Sequence, residues 1–131
     1  MATILVLEDS RPAREATVRL LQAEGYQALG VDNVWHALGI LETTQVDLVL
    51  LDLELRGPGG SAFLEDIQGN PKWHGLPVIV TTGLSFLPDL YLKYRASIRD
   101  WMRKAEYSGD QLLSAVRAHL PENSHATQEV C

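Results

Sequence analysis

Short apolar runs alternate along this chain with segments whose apolar residues recur at helical spacing. We predict strands at 3–7, 26–31, 46–53, 76–81 and 98–102. A helical pattern follows each run, and parallel neighbouring strands need such a crossover connection. The pattern therefore predicts one α/β domain over residues 1–120, with a parallel sheet covered by helices on both faces, followed by a polar tail over 121–131.

Local signals mark where helices begin and where the chain turns. Ser10 is a suitable N-cap with Pro12 close behind it, and Ser108 with Gln111 matches a capping box. Between the third strand and the helix after it, residues 56–60 have the sequence Arg-Gly-Pro-Gly-Gly, which predicts a sharply bent loop.

Polar side chains stand where four of the apolar runs end. Glu8 and Asp9 follow the first run, Asp52 lies at the end of the third, Thr82 closes the fourth and Lys104 follows the fifth. The carboxyl ends of parallel strands lie along one edge of a sheet, and that edge is where open α/β sheets bind ligands. We therefore expect these side chains to share one cleft.

Carboxylates gathered in one cleft repel one another unless they share a cation. Glu8, Asp9 and Asp52 offer only oxygen, without histidine or cysteine among them, so the pattern favours Mg²⁺ and argues against zinc. Beside such a cation an aspartate can accept a phosphoryl group, whose oxygens then need partners. Lys104 can supply a mobile positive charge and Thr82 a hydroxyl donor, so the cluster predicts phosphoryl chemistry.

Composition limits the classes of function. The chain has 131 residues and a formal net charge of −6, which argues against nucleic acid as a partner, because affinity for a phosphate backbone comes from clustered lysine and arginine. No apolar stretch reaches membrane-span length and the first residues enter a strand directly, so we expect no membrane partner and a cytoplasmic location. The single cysteine, Cys131, excludes an intrachain disulfide.

The polar residues at the strand ends also have a recognisable order. Asp9, Asp52, Thr82 and Lys104 follow one another at separations of 43, 30 and 22 residues, with Glu8 directly before Asp9. This arrangement resembles the response-regulator receiver domains of two-component signalling, over about residues 2–120. The resemblance implies a flavodoxin-like, doubly wound, five-stranded parallel sheet with strand order 2-1-3-4-5. Because no second domain is predicted, we expect the stand-alone, single-domain type.

The resemblance also implies a role for each acidic residue. Asp52 would accept the phosphoryl group. Asp9 would bind Mg²⁺ directly and Glu8 through a water molecule, while Asp52 and the backbone carbonyl of Glu54 would be further ligands. The side chain of Glu54 lies two residues after the acceptor, where it could repel an attacking hydroxide or orient a water molecule, and the sequence leaves both open.

Three further residues acquire roles by the same resemblance. Thr82 and Lys104 would contact the phosphoryl group. Trp101 stands where the family has an aromatic ring that turns inward on activation, into space opened as Thr82 moves toward the phosphoryl group. The chain also departs from the family pattern: Ala105 replaces a proline that usually follows the lysine in a cis peptide, so we expect a trans or strained loop there. Residues 56–60 lack the usual Met-Pro start, and Gly59 stands where an aspartate is common.

An unusually apolar segment follows the fourth strand. Its candidate output residues are Phe86, Leu87, Leu90 and Tyr91. The family often uses this region for output, so an unidentified downstream protein or a second copy of the chain is expected to bind the 84–103 face. The alternative is that half of these residues belong to the core.

Three hypotheses for function follow. The favoured one is a switch that is phosphorylated on Asp52 by a sensor histidine kinase or a phosphotransfer protein and signals through protein contact, without being an enzyme. The second is a receiver-like scaffold that binds partners without phosphorylation, which Ala105 and the unusual 56–60 loop favour. The third is a phosphatase of the haloacid-dehalogenase type, which Asp52-Leu53-Glu54 distantly resembles, although no cap domain is predicted.

Overall fold

The computed structural model describes residues 1–121, in which five strands and five helices alternate. The strands are β1 (Thr3–Leu7), β2 (Gln27–Val31), β3 (Leu48–Leu51), β4 (Val78–Thr82) and β5 (Ile98–Arg103). The helices are α1 (Arg11–Ala23), α2 (Val34–Thr43), α3 (Gly60–Gln68), α4 (Pro88–Lys93) and α5 (Gly109–His119).

The five strands form one parallel sheet in the order β2-β1-β3-β4-β5, which confirms the predicted flavodoxin-like topology. The register decides which side chains meet at the carboxyl edge. Leu7 of β1 pairs with Leu51 of β3, so the next residues along each strand, Glu8 and Asp52, lie at the same level. Thr82 of β4 pairs with Arg103 of β5, the residue before Lys104.

Both faces of the sheet are buried, as the apolar strands predict. Alternate residues of each strand point to opposite faces, so Leu5 and Leu7 of β1 belong to one core cluster while Ile4 and Val6 belong to the other. The first cluster packs against α2 and α3, and the second against α1 and α5. The carboxyl edge of the sheet therefore belongs to a sheet that is packed against helices on both faces.

Four strands differ from the predicted bounds: β2 begins one residue later and β5 ends one residue later than predicted, and β3 and β4 differ more. The apolar run 46–53 predicts a longer β3 than the four residues found, because the chain leaves the regular ladder at both ends. At its start the carboxylate of Asp47 accepts the backbone N–H of Thr3 at 2.8 Å, and at its end the carboxylate of Asp52 accepts the N–H of Glu54 at 2.9 Å. The fourth strand begins later than predicted and includes Thr82.

The predicted capping signals are found at both helices. Ser10 Oγ accepts the N–H of Ala13 at the start of α1, and Ser108 and Gln111 form the reciprocal capping box of α5. Within residues 1–121, no helix combines the length and apolar character needed to cross a bilayer. Apart from Pro121, the predicted tail, including Cys131, lies outside the described residues.

Candidate functional site

A cleft of about 240 Å³ opens at the carboxyl edge of the sheet, above β1 and β3. The side chains that line it come from three connections between strands and helices. They are Glu8, Asp9, Ser10, Asp52, Glu54, Arg56 and Lys104. Five of the residues that the sequence predicts for the site therefore share one cavity: Glu8, Asp9, Asp52, Glu54 and Lys104.

Asp52 lies at the centre of this cleft and is held by two donors. Its residue is only 4% exposed, so the carboxylate depends on partners within the protein. Oδ1 accepts the backbone N–H of Glu54 at 2.9 Å, and Oδ2 lies 3.1 Å from Nζ of Lys104. One oxygen of Asp52 is thus bound by the local backbone and the other by the side chain of Lys104, the residue that follows β5.

Lys104 bridges two buried carboxylates, because its ammonium group also donates a hydrogen bond to Glu8. Burial raises the pKa of Glu8, and the hydrogen bonds from Lys104 and the Ser10 N–H only partly offset that rise. For Lys104, burial lowers the pKa, but the hydrogen bonds to Glu8 and Asp52 outweigh burial and leave the pKa raised. Lys104 therefore stays protonated at neutral pH and neutralises part of the acidic cluster.

Asp9 forms the outer wall of the cleft and pairs with Arg56. The Nε of Arg56 lies 3.3 Å from Oδ2 of Asp9, and the arginine side chain is 93% exposed. The loop that carries Glu8 and Asp9 is fixed from below by Arg14, whose guanidinium donates to the backbone carbonyls of Glu8 at 3.0 Å and Asp9 at 3.4 Å. The two acids are therefore positioned by α1 as well as by β1.

The predicted Mg²⁺ ligands line one cleft but do not form a ready-made cage. Among residues 1–121, no group of three or more acidic, histidine or cysteine side chains is arranged to hold a metal ion. Lys104 takes up one oxygen each of Glu8 and Asp52, and Arg56 takes up one of Asp9. The donor set is nevertheless entirely oxygen and carries negative charge, which fits a hard divalent cation once those contacts open.

Glu54 joins two connections of the sheet through its side chain. Its Oε1 accepts the hydroxyl of Thr82 at 3.4 Å and the backbone N–H of Gly83 at 3.0 Å, and we call these two contacts the Glu54 clasp. The Thr82 hydroxyl in turn accepts the N–H of Leu84 at 3.2 Å. Thr82 is fully buried and does not line the cleft, and its hydroxyl is engaged with Glu54.

The peptide bond between Lys104 and Ala105 is trans, and Ala105 adopts a φ of 74°. The expectation of a trans or strained loop is thus met on both counts, because a side chain with a Cβ is disfavoured in the left-handed region. The lysine keeps its place through the sheet: its backbone N–H donates to the carbonyl of Thr82. The ladder between β4 and β5, rather than a proline, orients Lys104.

The predicted output residues divide into two groups. Phe86 is 50% and Leu87 40% exposed, whereas Leu90 and Tyr91 are partly buried against the core. Trp101 stands edge-on to Phe86, with ring centroids 5.2 Å apart and an interplanar angle of 80°. The indole Nε1 of Trp101 is buried without a hydrogen-bond partner. Trp101 is therefore half-buried, and its indole N–H has no hydrogen-bond acceptor among residues 1–121.

Two residues of the cleft region were not predicted from the sequence. Arg56 is the one basic residue of the 56–60 loop, and Gly83 follows the predicted hydroxyl directly, so both could have been considered from their positions. A larger cavity of about 390 Å³ lies at the opposite edge of the sheet, beside Asp47, Trp73 and Pro77. None of the predicted acidic, hydroxyl or lysine residues lines it.

Comparison with known proteins shows the family. The model of the response regulator receiver domain matches residues 4–117. Sensory transduction protein RegX3 of Mycolicibacterium smegmatis is 29% identical over 120 residues, which cover 92% of this chain and 51% of that protein. This chain therefore spans about half the length of that relative.

Two solved structures are similar in fold. The signal receiver domain of a signal transduction histidine kinase from Syntrophus aciditrophicus has a TM-score of 0.82 and 27% identity, with 96% of each chain covered. The Mn²⁺-bound form of the response regulator Rcp1 has a TM-score of 0.76 and 21% identity, with 92% of this chain and 99% of that chain covered. The chain belongs to the response regulator receiver domains of two-component signal transduction.

Proposed function

We propose that this protein is a phosphorylation-dependent switch whose phosphoryl acceptor is Asp52. The observation that carries the proposal is the setting of this carboxylate. It is nearly fully buried, it lines the cleft at the carboxyl edge of the sheet, and Nζ of Lys104 lies 3.1 Å from its Oδ2. A carboxylate held in this way can act as an oxygen nucleophile, with a cation already beside the charge that transfer brings.

In the proposed transfer, one carboxylate oxygen of Asp52 forms a bond to the phosphorus of the donor. The bond from phosphorus to the donor's nitrogen or oxygen breaks, and the departing atom keeps its electron pair. A departing imidazole nitrogen then takes a proton from water, whereas a departing carboxylate, such as the acetate released from acetyl phosphate, stays ionised. Lys104 remains close enough to share its charge with the new phosphoryl oxygens. Thr82 turns its hydroxyl away from Glu54 to donate to one of them.

We propose Mg²⁺ as the cofactor, held by Glu8, Asp9, Asp52 and the backbone carbonyl of Glu54. When bound, it would neutralise charge on the phosphoryl oxygens. The all-oxygen lining of the cleft supports this assignment, and so does the Mn²⁺-bound form of Rcp1, whose fold is similar. The chain's own part is to release Glu8 from Lys104 and Asp9 from Arg56 as the ligands come together, while Lys104 stays beside Asp52.

The proposed donor is a sensor histidine kinase or a phosphotransfer protein, because receiver domains take part in two-component signalling. Such kinases consume ATP, so we place the protein in the cytoplasm. The net charge of −6 favours protein partners over nucleic acid or membrane surfaces. In this proposal the chain is a substrate and signal carrier rather than an enzyme.

We propose that the output is read through Trp101 and the exposed part of the 84–103 face. When Thr82 moves toward the phosphoryl group, the Trp101 ring gains space and its edge contact with Phe86 changes. Phe86 and Leu87 would then be presented differently to a downstream protein or to a second copy of the chain. Tryptophan fluorescence should respond to phosphorylation in the wild type and lose most of that response in Trp101→Phe.

Intact mass after incubation with acetyl phosphate and Mg²⁺ tests the proposal, with Asp52→Asn as the control. We expect one labile phosphoryl adduct that is absent from Asp52→Asn and absent with a chelator. The phosphorylation-independent scaffold is favoured by one observation, the neutralisation of the cleft by Lys104 and Arg56. It predicts no adduct with any donor. Sustained hydrolysis of a phosphate ester would instead favour the phosphatase hypothesis.

A further inference from the structure

Arg56 occupies an unusual place on the rim of the cleft. Its guanidinium lies 3.3 Å from Asp9, and its side chain lines the same cavity as Asp52 while remaining 93% exposed. The family resemblance offers no role for it, because this part of the 56–60 loop departs from the family pattern. Arg56 is therefore a feature of this chain that the phosphorylation chemistry leaves unexplained.

The two cations of the cleft are held very differently. Lys104 is bound by two carboxylates that are themselves buried, so its release would leave two buried negative charges unpaired, which is energetically costly. Arg56 has one exposed contact with Asp9, and exposed pairs of this kind change an equilibrium by a factor of about five at most. Arg56 is thus the cation that can leave the cleft wall at little cost.

The chain turns sharply directly after Arg56, at Gly57. Gly57 adopts a φ of 70°, a conformation that glycine adopts without strain. The ring of Trp35 flanks this glycine, since a Cβ placed on Gly57 would lie 3.8 Å from the indole. The long side chain of Arg56 projects from this turn and is exposed, so it can reach either Asp9 or the open cleft.

We propose that Arg56 alternates between Asp9 and the phosphoryl donor. In the metal-free protein Arg56 pairs with the Asp9 carboxylate, and an arriving divalent cation must displace it from there. Once displaced, its guanidinium binds oxygens of the phosphoryl group that approaches Asp52, because the planar fork of donors on arginine matches phosphate geometry. The inference rests on the proposed phosphorylation of Asp52 and adds a donor-binding residue to that site.

Calorimetric titration with MgCl₂ tests the first half. The variant is Arg56→Gln, which keeps a polar side chain and removes the charge. Arg117→Gln is the matched control, because Arg117 forms a pair of the same length, 3.3 Å, with Glu24, and neither residue lines the cleft. We expect Mg²⁺ to bind about two- to fivefold more tightly to Arg56→Gln and to bind Arg117→Gln as it binds the wild type.

The initial rate of phosphorylation at increasing acetyl phosphate, with saturating Mg²⁺, tests the second half. We expect the rate per unit of donor to fall about two- to tenfold in Arg56→Gln and to stay unchanged in Arg117→Gln. The inference requires both effects, so a change in only one of them, or in neither, overturns it.

Its failure is distinguishable from that of the proposed function. A wild type that binds Mg²⁺ and forms the aspartyl phosphate, with an Arg56→Gln variant that matches it, refutes the role of Arg56 alone. A wild type that never takes up a phosphoryl group refutes the switch itself.

Discussion

Glu54 accepts a hydrogen bond from the backbone N–H of Gly83, with Oε1 3.0 Å from the nitrogen, and so joins the loop after β3 to the loop after β4. The same oxygen accepts the hydroxyl of Thr82. In the proposed function, that hydroxyl must turn toward a phosphoryl group on Asp52. The Glu54 clasp therefore holds the unphosphorylated arrangement and must open for the switch to operate.

Glu54→Gln should accelerate phosphorylation. The amide removes the negative charge that repels an anionic donor and weakens the hold on Thr82 and Gly83. We expect the initial rate of phosphoryl incorporation from acetyl phosphate, followed by intact mass, to rise about two- to tenfold. The same substitution at the exposed Glu42, which pairs with Lys72 away from the cleft, should leave the rate unchanged. A slower Glu54→Gln variant would mean that the carboxylate assists transfer instead.

Gly83→Ala tests the Glu54 clasp without altering any charge. A Cβ on Gly83 would lie 2.8 Å from Oε1 of Glu54, and the glutamate side chain is free to swing aside. We therefore expect Gly83→Ala to fold normally and to phosphorylate faster than the wild type, in the same direction as Glu54→Gln. Because both variants weaken the Glu54 clasp, the double variant should phosphorylate more slowly than the two separate effects combined would predict, with only the charge effect of Glu54→Gln adding to that of Gly83→Ala. Additive rates would show that the two substitutions act separately.

Ala105 gives a prediction about stability. Its φ of 74° disfavours any residue with a Cβ, so Ala105→Gly should raise the free energy of unfolding by about 1 kcal/mol. Ala105→Pro should lower it, because proline fixes φ near about −65°. Urea denaturation of the three proteins measures both effects. Equal stability of the glycine and alanine forms would argue that this backbone conformation is not kept in solution.

Tyr94 gives a prediction about pH. Its hydroxyl donates to Glu65 at 2.8 Å, and burial together with this bond raises the pKa of Tyr94 above its ordinary value of 10.0. A raised pKa in the folded state means that the stabilisation is complete below pH 10 and is lost as the pH rises through the folded pKa. Tyr94→Phe should lower the free energy of unfolding by about 0.5–1.5 kcal/mol at pH 7.

The gap between wild type and Tyr94→Phe should then narrow at alkaline pH, as measured by urea denaturation at a series of pH values from neutral upward. The wild type should lose stability above pH 10 faster than the variant, because only the wild type carries this phenol. Two curves that remain parallel throughout the series would contradict the assigned role of the Tyr94 hydroxyl.

The fold follows from regularities that extend along whole elements. Strands buried on both faces are apolar along their length, and crossover helices between them require parallel pairing, so a parallel sheet was predictable from the pattern, while its strand order came from the family resemblance. The cleft was predictable because the carboxyl ends of parallel strands share one edge, and the register of the structure brings Glu8 level with Asp52 there. The bounds of β3 were predicted wrongly, because the apolar run continues where side-chain hydrogen bonds of Asp47 and Asp52 already replace the ladder.

The contacts that were not predicted depend on loops instead. The Glu54 clasp joins residues 28 and 29 positions apart, and the pair of Arg56 with Asp9 depends on how the loop turns at Gly57. No periodic pattern in the sequence reports such contacts. These contacts depend on the three-dimensional fold, because the sheet brings the connections together at its carboxyl edge.

The proposed phosphorylation of Asp52 can be checked by locating the phosphoryl group in the chain. The wild type is incubated with acetyl phosphate and Mg²⁺, treated with borohydride, which reduces an acyl phosphate to the alcohol, and mapped by peptide mass spectrometry. We expect homoserine at position 52 alone, and none when Mg²⁺ is chelated. Homoserine at another aspartate, the longer alcohol at a glutamate, or no reduced residue with any donor would contradict this assignment.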